Sequence, residues 1–106
     1  MAFPDRKLNE ITRRLAAAYK PERMYLFGSR ARGEGGPDSD YDLMVVVPDD
    51  APPKRRRGRL GYEALRGMGT AVDVVVMTRD AFDARADLKA SLPGTILREG
   101  RLLYVA

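Results

Sequence analysis

Two apolar, β-branched runs constrain this chain more than anything else in it: "YDLMVVV", Tyr41 to Val47, and "AVDVVVM", Ala71 to Met77. Runs of this length and composition read as strands. Each carries aspartate at or near its start, where a polar group is hardest to explain. Burying a carboxylate without a partner is costly. Either these aspartates are ordinary polar positions on a strand, or something positively charged sits among them.

The remaining elements follow from spacing and punctuation. Pro4 to Tyr19 reads as a helix, with Pro4 in its first turn and Leu8, Ile11, Leu15 and Ala18 at helical spacing. Lys20-Pro21 ends it. Arg23 to Phe27 is a short strand. Gly28-Ser29 turns the chain, Arg30 to Gly33 has room for one helical turn, and Glu34 to Ser39 is loop by composition. Residues 54 to 67 read as a helix whose start Gly58 and Gly61 weaken. Thr78 caps a helix from Arg79 to Lys89, and Ser91 caps a second that begins near Pro93 and stops at Gly100. Arg101 to Val105 is a last strand. The pattern predicts one α/β (α+β) domain over residues 1–106, a mixed β-sheet flanked by helices. Nothing in it divides into repeats or linked domains.

Composition narrows the chemistry. The chain has neither cysteine nor histidine, so thiolate metal sites, disulfides and the commonest general base are excluded. A metal would have to be a hard cation held by oxygen, such as Mg²⁺. Its 19 basic and 15 acidic residues give a formal charge of +4, compatible with a polyanionic partner or with solubility alone. No stretch approaches the roughly 20 apolar residues of a membrane span. The N-terminus lacks an apolar signal core, so a cytoplasmic protein is the expectation.

Side chains two apart on a strand share a face, so Asp40 and Asp42 project together with Met44 and Val46. Asp73 stands between Val72 and Val74. If its strand neighbours that of Asp42, three carboxylates gather at one end of the sheet, which suits Mg²⁺ with phosphate oxygens completing its shell. An aspartate-x-aspartate at a strand start is common as a solvated edge, and Asp73 alone could be a charge that protects an edge strand. Upstream, Gly28 allows close backbone approach to a phosphate and the Ser29 hydroxyl adds a donor, at the start of a helical turn.

The conjunction is more specific than any part: Gly-Ser, ten residues, Asp-x-Asp, then a third aspartate inside a later strand. "GSRARGEGGPDSDYD" followed by "VDVVV" resembles the nucleotidyltransferase superfamily related to DNA polymerase β, and within it the minimal nucleotidyltransferases, or MNT proteins. The resemblance implies transfer of a nucleoside monophosphate, AMP from ATP, to a hydroxyl. It implies that Asp40 and Asp42 bind two Mg²⁺ ions, that Asp73 shares one and helps deprotonate the acceptor, and that Gly28 and Ser29 hold the triphosphate. Two metal ions would activate the hydroxyl and neutralise the leaving pyrophosphate, so no histidine is needed. Arg30 and Arg32, two apart on a turn, point different ways. One of them, taken as Arg30, is expected at the leaving phosphates, and a solvated arginine is the alternative for each.

Little chain remains after Asp73 to hold an acceptor. In the MNT family the resemblance implies a partner HEPN-type helical toxin, silenced by AMP attached to a tyrosine, so that this chain is an antitoxin. Transfer to a small-molecule hydroxyl, and non-catalytic inhibition by occlusion, are the alternatives. The basic run Lys54 to Arg59, "KRRRGR", has no interleaved aromatics. Nucleic-acid binding through it is not expected, although its charge permits it.

Overall fold

The computed structural model describes residues 5–36 and 38–106. The expected role of Pro4 lies outside these residues. Helix α1 (Arg6–Tyr19) begins where Asp5 accepts a hydrogen bond from the Leu8 N–H at 3.0 Å. It buries Leu8, Ile11, Leu15 and Tyr19 along one face. Lys20 ends it in the left-handed conformation, φ 49°, with its N–H on the Ala16 carbonyl. Strands β1 (Arg23–Phe27) and β2 (Tyr41–Val47) follow, then a 3-10 turn (Pro53–Arg56), α2 (Gly58–Ala64), β3 (Val72–Thr78), α3 (Arg79–Arg85), α4 (Leu92–Glu99) and β4 (Arg101–Val105).

The four strands form one mixed sheet in the order β3-β2-β1-β4. β2 and β3 are parallel and the other two pairs antiparallel. A parallel pair needs a crossover, which the 3-10 turn and α2 supply. Both faces of the sheet are covered. Tyr41, Leu43, Val45 and Val47 pack with the buried face of α1, while Met44 and Val46 pack with Tyr25, Phe82 and Ile96 under α3 and α4. Hence β2 reads as a continuous apolar run rather than an alternating one.

The helix expected over 54–67 is instead the 3-10 turn and α2, separated by Arg57 in extended conformation. Neither start has a side-chain cap, and the cations of the basic run oppose a helix N-terminus. Gly61 is present for closeness: a Cβ there would press on Val74 Cγ2 at 3.0 Å and the Tyr19 hydroxyl at 3.2 Å. That hydroxyl donates to the Arg57 carbonyl and accepts the Gly61 N–H at 2.8 Å. α3 ends at Arg85 rather than Lys89. The Ser91 hydroxyl, which caps α4 through the Gly94 N–H, lies within hydrogen-bonding distance of the Arg85 and Leu88 carbonyls and turns the chain early.

Candidate active site

β1 delivers Gly28 to the end of the sheet beside the start of β2. Gly28 has φ +77°, which favours glycine. A Cβ there would also run into the Asp42 Oδ2, so the residue is restricted twice over. Beyond it the chain makes a single helical turn. Ala31 and Arg32 N–H groups donate to the Gly28 carbonyl at 3.1 and 3.3 Å, and the Glu34 N–H donates to the Ser29 carbonyl at 2.9 Å. Ser29, half-buried, stands at the open start of that turn. From β4, Arg101 Nε donates to the Ala31 carbonyl at 3.0 Å and pins the turn to the sheet.

The aspartates converge on the same end. In the parallel pair Asp42 stands opposite Asp73, and in the antiparallel pair it stands opposite Phe27, the residue before Gly28. Asp42 is half-buried, whereas Asp40 and Asp73 are exposed. Burial pushes the Asp42 carboxyl above the usual carboxylate range, and the charges of Asp73 and then Asp40 push the same way, together with a hydrogen bond to Asp73. A shared cation would relieve that crowding of negative charge around Asp42. As the side chains stand, no three of the described carboxylates close to metal-holding distance. The donor set is nonetheless all oxygen, at the spacing of adjacent strands, and fits a hard divalent cation in kind.

For Asp73 the sequence leaves two readings open, a partnered carboxylate and a charge on an edge strand. β3 is an edge strand and the side chain is exposed, so desolvation does not force the issue. Arg30, expected at the leaving phosphates, turns its side chain toward Tyr41 and Ser39. Its guanidinium carbon sits 3.9 Å above the Tyr41 ring centre, and its Nε donates to the Ser39 carbonyl at 2.9 Å. Tyr41 alternates with Asp42 and so faces α1, on the opposite side of the sheet from the Asp42 carboxylate. The Tyr41 hydroxyl donates to Asp5 Oδ2 at 2.7 Å. Burial and that hydrogen bond raise the phenol's pKa and keep it a donor. Arg32 faces solvent, paired with Glu34 at 2.9 Å and Glu99 at 3.8 Å.

Sequence reasoning missed Asp5, Ser39, Tyr41 and Arg101 as parts of this scaffold. A tyrosine between two aspartates was a usable signal; nothing linear links Arg101 to Ala31. The basic run follows the far end of β2, away from the carboxylates. Among the described residues Lys54, Arg55, Arg56 and Arg57 form no ion pair, and Arg59 meets Glu63 at 3.6 Å.

Solved structures share this fold. A chain of a toxin–antitoxin complex with AMP-PNP superposes with a TM-score of 0.62 at 22% identity, over 92% of this chain and 73% of that one. A protein from Sulfolobus solfataricus assigned as a nucleotidyltransferase gives 0.61 at 24% identity, over 93% and 78%. The complex of a tri-AMPylated Shewanella oneidensis HEPN toxin with its MNT antitoxin gives 0.56 at 23% identity, over 94% and 72%. At these identities the likeness is one of fold. Among curated proteins none matches. The sequence itself matches a nucleotidyltransferase domain over residues 6–103, from the first turn of α1 into β4 and across the Gly-Ser turn and all three aspartates; the chain belongs to the nucleotidyltransferase domain family.

Proposed function

We propose that this chain moves AMP from ATP to a hydroxyl of a partner protein, a tyrosine of a HEPN-type toxin, and thereby acts as its antitoxin. The observation that carries the reading is the placement of Asp42 opposite Asp73 in register, with Asp42 against the one residue, Gly28, that leaves space for it. Neighbouring folds described as an MNT antitoxin with an AMPylated HEPN toxin, and as a toxin–antitoxin complex with AMP-PNP, support the partner and the nucleotide.

Gly28 and Ser29 would hold the triphosphate at the open start of their turn, with backbone N–H groups and the serine hydroxyl as donors. Asp40 and Asp42 would hold two Mg²⁺ ions and Asp73 would share one. When bound, the ions would neutralise the departing pyrophosphate and lower the acceptor hydroxyl's pKa. The acceptor oxygen forms a bond to the α-phosphorus as the bond from that phosphorus to the bridging oxygen breaks. Pyrophosphate leaves with the electron pair, and the hydroxyl proton passes to the exposed Asp73 carboxylate.

The test is the intact mass of a candidate HEPN-type partner, sought among the products of adjacent genes, after incubation with this chain, ATP and Mg²⁺. AMP-sized additions that Asp40→Asn abolishes are the expected result. A second reading has one observation in its favour: Asp73 lies exposed on an edge strand, where a charge is useful without any catalysis. Occlusion predicts unchanged mass and equal inhibition by wild type and Asp40→Asn, and that result would replace the transferase reading.

A further inference from the structure

We propose that Arg30 is a positioning residue, a planar clamp that locks the start of β2 to the Gly28–Ser29 turn, rather than a ligand of the nucleotide's phosphates. The inference deepens the proposed function and rests on it for the effect on turnover, but not for the clamp itself.

Three contacts define the clamp. The Arg30 Nε donates to the carbonyl of Ser39, the residue before Asp40, at 2.9 Å. Its guanidinium lies 3.9 Å above the ring of Tyr41, the residue between Asp40 and Asp42. Its aliphatic stem lies against Gly35, where an added Cβ would approach Arg30 Cγ to 2.9 Å. Ser39 is itself fixed, since its hydroxyl accepts the Gly36 N–H at 2.9 Å. One side chain therefore holds the backbone on the N-terminal side of Asp40 and the ring on its C-terminal side. That side chain leaves the same turn that carries Gly28 and Ser29.

The clamp is anchored at its far end. Tyr41 donates to Asp5 Oδ2 at 2.7 Å, and Asp5 Oδ1 accepts the Leu8 N–H at 3.0 Å, so the ring is tied to the first turn of α1. Because Tyr41 and Asp42 project to opposite faces, the guanidinium works from behind the sheet while the carboxylates face forward. The clamp thus fixes the spacing between the triphosphate turn and the aspartates without occupying the space between them. Displacing reacting groups by about 1 Å can cost about a hundredfold in rate.

The chemistry of arginine makes this separable from a role in charge. Stacking on a ring and donating from Nε need a planar guanidinium, which lysine lacks, whereas a phosphate accepts lysine as a point charge. The test compares Arg30→Lys, Arg30→Met and wild type, with Tyr41→Leu as a variant that removes the ring and keeps the arginine. Amide hydrogen exchange without ligand is read at Tyr41, whose N–H donates to the Ala71 carbonyl at 3.1 Å and reports the strand start.

Both Arg30 variants and Tyr41→Leu are expected to lower the protection factor of the amide at position 41 about tenfold while the central β2 amides of Val45 and Val46 keep their protection. In turnover, kcat falls about 10- to 100-fold in both Arg30 variants with KM for ATP within about twofold. Unchanged Tyr41 exchange in Arg30→Met overturns the clamp. So does lysine restoring kcat, or a rise confined to KM for ATP. If the wild type transfers nothing, exchange alone decides the clamp, and the failure belongs to the transferase reading.

Discussion

Replacing Gly28 by alanine isolates the contact on which the site depends. Two costs add. At φ +77° a residue with a Cβ is strained by about 1–3 kcal/mol. The new methyl would also overlap Asp42 Oδ2, with Cγ at 3.2 Å and Cβ at 3.4 Å, an overpacking cost of about 1–3 kcal/mol. The carboxylate relieves part of the second cost by rotating about χ1, and in rotating it leaves the site. Together the loss is about 2–4 kcal/mol, a large share of the about 5–15 kcal/mol that holds a domain of this size. Urea unfolding of wild type, Gly28→Ala, Asp42→Ala and the double variant separates the two costs. With Asp42 shortened the overlap vanishes, so Gly28→Ala should then cost only the backbone part, a coupling of about 1–2 kcal/mol. An equal cost in both backgrounds, or a cost under about 0.5 kcal/mol in the wild type, would refute the close approach of Gly28 to Asp42.

Asp42→Asn removes one charge from three mutually repelling carboxylates. It should raise the melting temperature in EDTA, and added Mg²⁺ or Mn²⁺ should stabilise the wild type more than the variant; the reverse order by calorimetry would count against a shared cation site. Arg57→Asp places an acceptor and a negative charge at the uncapped start of α2, where the backbone is already extended at φ −113°, ψ 141°. It should gain about 1 kcal/mol in urea unfolding, and no gain would mean that the arginine is not opposing the helix. Hydrogen bonds from Arg13 and then Arg14 hold the Glu10 carboxyl down to about 2, from 4.5. A depressed carboxyl contributes stability that is full above its unfolded value and lost as pH falls through the folded one. Glu10→Gln should therefore flatten the stability profile between about pH 4.5 and 2, and an unchanged acid limb would show the pair is solvent-screened.

How much of this was legible depended on whether the signal was local. β1, β2 and β4 show as apolar runs bounded by glycine, proline or polar residues, and β2 and β3 as neighbours explain why three aspartates separated in sequence meet at one end. Asp73 admits two readings in the sequence because a continuous apolar run looks alike at an edge and at a centre; the order β3-β2-β1-β4 places it at an edge. Gly61 counted against a helix by propensity, yet is required by the approach of Tyr19 and Val74. α3 stops at Arg85 because a hydroxyl six residues on meets its carbonyl, which no local propensity contains. Arg30 was assigned by its distance from the Gly-Ser turn. Its direction is set by Tyr41 and Ser39, across a loop whose folding could not be read from composition.

The most direct test of the account is an anomalous difference map of crystals grown with Mn²⁺ and a non-hydrolysable ATP analogue. The account predicts manganese peaks between Asp40, Asp42 and Asp73, with the triphosphate on the Gly28–Ser29 turn. A triphosphate bound elsewhere, or peaks that avoid these carboxylates, would contradict it.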